Sequence, residues 1–191
     1  RVVRPIPIGA YPRGIVVAPN GDIFITEGHT GQQPNAAPDT VARVSKFTQG
    51  GKFVQSFGKL GTGPVEFKTP HDITMDAQGR LIVADRGNSR IQVFDQDGNY
   101  KDKFYQFSRP SGIFIDKNDN LYSADSESKS VSRNHQDWKR GIRIGSAKTG
   151  LVDGFLPDME PTTVSPSGSE GLAMPTQRAP SASVAPYADA T

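Results

Sequence analysis

A repeat constrains this chain more than any other feature. Its fullest copy runs Pro70-His-Asp-Ile-Thr-Met-Asp-Ala-Gln-Gly-Arg-Leu-Ile-Val-Ala-Asp85. An earlier copy is Pro12-Arg-Gly-Ile-Val-Val-Ala-Pro-Asn-Gly-Asp-Ile-Phe-Ile-Thr-Glu27, and a later one spans Pro110 to Asp125. Ile15, Ile73 and Ile113 align, and so do Ile23, Leu81 and Leu121. The second halves agree as well. Arg43-Val-Ser-Lys-Phe-Thr-Gln-Gly-Gly-Lys-Phe53 matches Arg90-Ile-Gln-Val-Phe-Asp-Gln-Asp-Gly-Asn-Tyr100 without gaps, which sets Phe57 opposite Phe104. Agreement at so many positions, turns included, does not arise by chance.

Each copy reads as strands. Residues 73–76 alternate apolar and polar, the pattern of a half-buried strand. Leu81-Ile-Val-Ala84 is a short apolar run, expected of a strand covered on both faces and taken here as the innermost one. Arg90 to Phe94 alternates again, and Tyr100 to Phe104 supplies a fourth strand. Asp76-Ala-Gln-Gly79, Asp85-Arg-Gly-Asn-Ser89 and Asp95-Gln-Asp-Gly98 are turns, since Gly tolerates positive φ and Asp bonds nearby backbone. Four short antiparallel strands in about 40 residues make one blade of a β-propeller. The expected fold class is therefore all-β, a propeller fragment of about three to four blades. A propeller removes its sheet edges by closing into a ring, so such a fragment leaves two open apolar faces and is expected to be marginally stable alone.

Composition narrows the function classes. The formal net charge of the 191-residue chain is +2, which favours neither nucleic acid nor a membrane surface as partner. There is no cysteine, so disulfides and thiolate chemistry are excluded. No run of about 18 apolar residues offers a membrane-spanning helix. The chain opens at Arg1 with no signal peptide, and the expectation is a mature or truncated start.

Residues 28–40 and 58–68 lengthen the first unit, and each is either a surface insertion or a lid over the propeller mouth. After Asp125 the pattern loosens. Residues 138–146 read as a strand and 150–155 as its hairpin partner. Ser167-Gly-Ser-Glu-Gly-Leu172 looks like the opening of a fourth blade, but no further strand follows. The propeller is thus expected over residues 1–172. Residues 173–191 are low in large apolar side chains and are expected to be disordered, either as a flexible terminus or after a reading-frame break, the second being favoured.

The blade resembles the NHL repeat of six-bladed propellers. Pro70-His-Asp-Ile together with Val83-Ala-Asp-Arg-Gly-Asn-Ser-Arg-Ile-Gln-Val-Phe94 is more particularly similar to peptidyl-α-hydroxyglycine α-amidating lyases. That resemblance covers roughly residues 10 to 172. It implies a zinc held near the axis by three His, a structural calcium, a catalytic Arg and a catalytic Tyr, with cleavage of an α-hydroxyglycine to a peptide amide and glyoxylate. Under it His71 falls on a zinc-ligand position and Arg86 on the catalytic Arg. A metal near a developing alkoxide and a planar guanidinium on an oxyanion suit that chemistry. The chain departs from the pattern at several points. The equivalents of His71 are Arg13 and Ser111, and one His does not make a three-His site. Glu27-Gly-His29 stands where the family has Asp-Gly-Tyr, which makes His29 a candidate ligand or base. Asp72 could add an oxygen ligand beside His71. The chain by itself is expected to be inactive as a lyase, and under this reading its setting is secreted or periplasmic.

Each candidate also has a plainer reading. His71 could line the channel and bond backbone, Arg86 could form a salt bridge or bond carbonyls of a neighbouring blade, and His29 and His135 could be solvated. Arg43 and Arg90 are expected to be structural. Asp85 and Asp125 are expected to cap turns, with calcium as the alternative. Trp138-Lys-Arg-Gly-Ile-Arg143 sets three cations beside an aromatic, but a solvated strand edge explains it better than RNA. Nor do the residues show the clustered acids and amides that a sugar-lactone hydrolase would need on the axis. The competing function is a non-catalytic scaffold for a protein or peptide, with a peptide or small molecule in the axial channel as the other candidate ligand.

Overall fold

A computed structural model of the chain describes residues 8–9, 11–129, 135 and 137–158. The expected fourth-blade opening at 167–172 and the tail at 173–191 lie outside the described residues. The described residues form three four-stranded antiparallel sheets and one two-stranded pair. Blade 1 comprises β1 (Pro12–Val17), β2 (Ile23–Glu27), β3 (Arg43–Phe47) and β4 (Phe53–Phe57). A parallel pair, β5 (Lys59–Leu60) with β6 (Glu66–Phe67), fills the connector. Blade 2 is β7 (Pro70–Met75), β8 (Leu81–Asp85), β9 (Arg90–Phe94) and β10 (Tyr100–Phe104). Blade 3 is β11 (Gly112–Ile115), β12 (Asn120–Asp125), β13 (Gly141–Ser146) and β14 (Val152–Pro157). The hairpin expected at 138–155 is present and completes this third blade, although its first strand starts only at Gly141.

The blades pack side by side through their first strands, with β7 lying between β1 and β11. The axial strand of each blade is therefore the one that opens on Pro12, Pro70 or Gly112. This corrects the assignment of Leu81–Asp85 as innermost. β8 is second from the axis, and its apolar run reflects cover from both neighbouring blades. Every residue of β8 and β9 is buried. Alternation splits their side chains between two cores. Leu81, Val83 and Phe94 join Phe24, Val44 and Ile73 between blades 1 and 2. Ile82, Ile91 and Val93 join Phe104, Phe107 and Leu121 between blades 2 and 3. The Phe94 ring packs, tilted, at 5.0 Å from Phe57 and 5.8 Å from Phe67, so the connector is held by the same core.

Two glycines are required by backbone geometry. Gly79 takes φ +76° in the β7–β8 turn, where Asp76 Oδ1 accepts from the Gln78 and Arg80 amides at 3.0 and 2.8 Å. Gly14 on β1 faces β7, and a Cβ there would meet Asp72 Oδ1 and the Ile73 nitrogen at 2.6 Å. Blade 1 reaches blade 2 this closely because Gly14 has no side chain.

An acid ends the second strand of every blade and meets an arginine on the third. Glu27 takes Arg43 at 2.7 Å, Asp85 takes Arg90 at 2.9 Å, and Asp125 faces Arg143 at 3.6 Å. Blade 2 shows the fullest version. Arg90 also donates to the Thr62, Gly63 and Glu66 carbonyls at 2.7 to 2.9 Å, which ties down the connector. Arg43 and Arg90 are thus structural, as their shared position in the repeat suggested. Asp125 caps its turn, accepting from the Glu127 and Ser128 amides. Asp85 does not. Its oxygens accept from Arg90, Asn88, Gln92 and the Lys68 amide, because the buried guanidinium competes better than the turn for a carboxylate.

Candidate functional site at the axial ends of the blades

The sequence candidates converge where β1, β7 and β11 begin. Arg13, His71 and Ser111 occupy equivalent places in the three copies. His71 Nδ1 lies 2.6 Å from the Ser111 carbonyl oxygen. A carbonyl only accepts, so the ring carries its proton on Nδ1 and leaves Nε2 as the acceptor nitrogen. Burial, and then the charge of Arg86, lower the His71 pKa to about 4, so the ring is neutral at pH 7. The His29 ring centroid is 6.4 Å from that of His71. Burial and the charges of Arg13 and Arg86 lower the His29 pKa as well. His29 Nδ1 is buried without a hydrogen-bond partner.

Arg86 opens the short 3-10 turn Arg86–Asn88 after β8 and is only 5% exposed. Its Nη1 reaches Glu127 Oε1 at 3.3 Å across the blade 2–3 boundary. Its Nε is buried with no partner. Burial lowers its pKa, partly opposed by Glu127. Arg109, in the loop before β11, organises the surroundings. It donates to Glu127 Oε2 at 2.8 Å, to the Arg86 carbonyl at 2.9 Å and to Gln32 Oε1 at 2.9 Å. Gln32 closes the 3-10 turn Thr30–Gln32 of the first insertion. One guanidinium thus joins all three blades, and the 28–40 segment reaches the axial end. Arg109, Glu127 and Gln32 were missed in the sequence. None lies in an aligned motif, although Arg109 directly precedes the repeat's Pro110.

Asp72 points between blades. Its Oδ1 accepts from the Ile73 amide at 2.9 Å and its Oδ2 from the Ile113 amide at 2.8 Å, pinning β7 to β11. Burial raises its pKa. His135 is exposed and stacks on Trp138, with ring centroids 3.9 Å apart.

The fit of a metal can be tested on these side chains. A catalytic zinc takes three protein ligands from neutral His or carboxylate. His71 is neutral with Nε2 available, and His29 has an unpartnered nitrogen. Among the described residues, however, no three His, Asp or Glu side chains gather as a ligand group. Two imidazoles facing two guanidiniums do not fit a zinc without ligands from elsewhere. A calcium at Asp85 would have to displace Arg90. No helix among the described residues is long and apolar enough to cross a membrane.

The fold is that of a β-propeller fragment, and blade 2 carries an NHL repeat. The NHL repeat model matches residues 67–94, which is blade 2 from the connector to the end of β9. NHL repeat-containing protein 3 of Homo sapiens is 42% identical over 86 residues, covering 45% of this chain and 22% of that relative. Peptidyl-glycine alpha-amidating monooxygenase A of Xenopus laevis is 30% identical over 163 residues, covering 76% of this chain and 15% of its own length. The matched stretch thus spans about a quarter or less of the length of the curated relatives. A chain in the crystal structure of a nidogen/laminin complex shares the fold, with TM-score 0.55 at 16% identity over 78% of this chain and 48% of that one.

Proposed function

We propose that the axial end of these blades is a recognition site for an anionic group, above all the free C-terminal carboxylate of a peptide or protein partner. The observation that carries this reading is the Arg86 Nε, buried and unpartnered in a residue that is 5% exposed. A buried donor left without a partner costs about 1–3 kcal/mol, and a ligand oxygen would remove that cost. A planar guanidinium also suits a carboxylate through two parallel hydrogen bonds. Arg13 adds positive charge, while the neutral His71 adds none. Calorimetric titration tests the reading. A peptide with a free C-terminus should bind, and its amidated counterpart should bind about tenfold more weakly, a difference of about 1.4 kcal/mol. Arg86→Met should cost at least as much, with partial recovery in Arg86→Lys. Equal binding of both peptides, unaffected by Arg86→Met, refutes the site.

A second reading is a lyase site. Similarity to the amidating enzyme over 163 residues favours it, together with the positions of His71 and Arg86. Under this reading His71 and His29 hold a zinc together with ligands from outside the described residues. The metal would supply Lewis-acid stabilisation, and Arg86 would orient the carboxylate of an α-hydroxyglycine. Glyoxylate release from a peptide ending in that group, with about one zinc per complete protein, is the expected result. Absence of both removes this reading and leaves the binding scaffold.

A further inference from the structure

Two of the axial strands break register where they begin. In β7 Pro70 pairs with Asp85 and Asp72 with Ala84, so His71 has no partner on β8. In β1 Pro12 pairs with Glu27 and Ile15 with Ile25, which sets Arg13 and Gly14 against Thr26 alone. β11 pairs without a shift from Gly112 onward, and there Ser111 offers its carbonyl to His71 Nδ1. A bulge re-aims the side chain of its extra residue, and bulges are over-represented beside functional sites. Neighbouring segments close in on the same place. The Arg86 amide donates to the Thr69 carbonyl at 2.9 Å, and the Thr69 hydroxyl donates to the His29 carbonyl at 3.4 Å. Thr69, just ahead of His71, thus holds the Arg86 turn and the His29 loop against the start of β7.

We propose that His71 reads the backbone amide of the last residue of a bound chain end. The inference rests on the carboxylate reading above and adds a second contact to it. Arg86 gives Nη1 to Glu127 and keeps its Nε edge for the ligand carboxylate. In a peptide only the α-carbon separates that carboxylate from the amide N–H of the same residue. The group that takes this N–H must therefore lie beside Arg86, and it must accept. His71 meets both conditions. Ser111 fixes the ring proton on Nδ1, and among the described residues nothing bonds Nε2, which presents a lone pair and no proton. The guanidiniums of Arg13 and Arg86 only donate and cannot take an N–H. The site is thus matched to a secondary amide followed by a free carboxylate. A chain ending in proline has no such N–H, and a simple acid such as acetate offers only half of the pair. Both are expected to be poor ligands.

Calorimetric titration of the complete protein with three acetylated peptides tests this. One is Gly-Gly-Ala with a free carboxylate, and the second is its C-terminal amide. The third closes in lactate instead of alanine, which keeps the carboxylate and exchanges the amide N–H for an ester oxygen. The lactate peptide should bind about tenfold more weakly than the alanine acid, because it loses one hydrogen bond and sets its ester oxygen against the Nε2 lone pair. His71→Phe should bind the alanine and lactate acids alike, while keeping the preference for acid over amide that Arg86 supplies. A wild type that prefers acid to amide but binds alanine and lactate equally overturns the role of His71 and leaves the carboxylate site standing. Equal binding of acid and amide removes the carboxylate site, and this inference with it. Discrimination against lactate that survives in His71→Phe places the acceptor elsewhere and also overturns the role. Circular dichroism checks the strand content of the variant. If that is lost, the nitrogen-15 spectrum of histidine-labelled wild type takes its place. The alanine acid should then move the unprotonated Nε2 resonance of His71 and the lactate peptide should not. A resonance that both move equally, or that neither moves, overturns the proposal.

Discussion

Replacing Arg90 by Met isolates the network that fastens the connector to blade 2. The side chain is 3% exposed and meets Asp85, itself 0% exposed, at 2.9 Å. It also satisfies the Thr62 and Gly63 carbonyls and shares the Glu66 carbonyl with Gln92. Methionine keeps the apolar stem and removes all of the donors. Asp85 then retains Asn88, Gln92 and the Lys68 amide but has no cation. Removing one partner of a buried ion pair costs about 3–5 kcal/mol. Domains hold only about 5–15 kcal/mol in total. At about 2–4 °C per kcal/mol for a chain of this size, the melting temperature should fall by about 6–20 °C. Urea unfolding followed by circular dichroism measures the loss. Adding Asp85→Asn to the Met variant removes the uncompensated charge and should recover part of it. Hydrogen exchange should show the amides of residues 62–66 losing protection. A Met variant within about 1 kcal/mol of wild type, or a double variant no more stable than the single, refutes this account.

Three further outcomes are expected. His71 has a folded pKa lowered to about 4 from an ordinary value of 6.5. Its neutral form therefore contributes stability in full above pH 6.5, and that contribution is lost as pH falls from 6.5 to about 4, by at most about 3 kcal/mol. His71→Gln should flatten this window in a pH series of urea midpoints, and an unchanged slope counts against the buried neutral ring. Gly14→Ala places a methyl 2.6 Å from the Ile73 nitrogen, a backbone atom that cannot swing aside, and should cost about 1–3 kcal/mol. Gly50→Ala meets only Thr48 Oγ1, at an ordinary 3.8 Å, and should change the midpoint little, so equal effects from the two would rule out close approach of blades 1 and 2 as the cause.

The sequence by itself determined the blade. Alternation sets which side chains share a face, and Asp76 with Gly79 sets where the chain turns. Both are local, so three aligned copies were enough to place the strands of blade 2 and the hairpin of blade 3. His71 and Arg86 stood out only through the resemblance to a known family, and it is packing that brings the His29 ring to 6.4 Å from that of His71. Only the tertiary structure decided which strand is axial. An apolar run such as Leu81–Ala84 marks cover on both sides, and a strand gains that cover in the middle of a sheet as readily as at the axis. Tertiary structure also decided what the acids do. Asp85 gave up its turn for Arg90, and Asp72 bound the Ile113 amide of the next blade, because partners brought close by packing outcompete those close in sequence. Arg109 shows the same limit. Its three partners lie 18, 23 and 77 residues away, separations that no local pattern records.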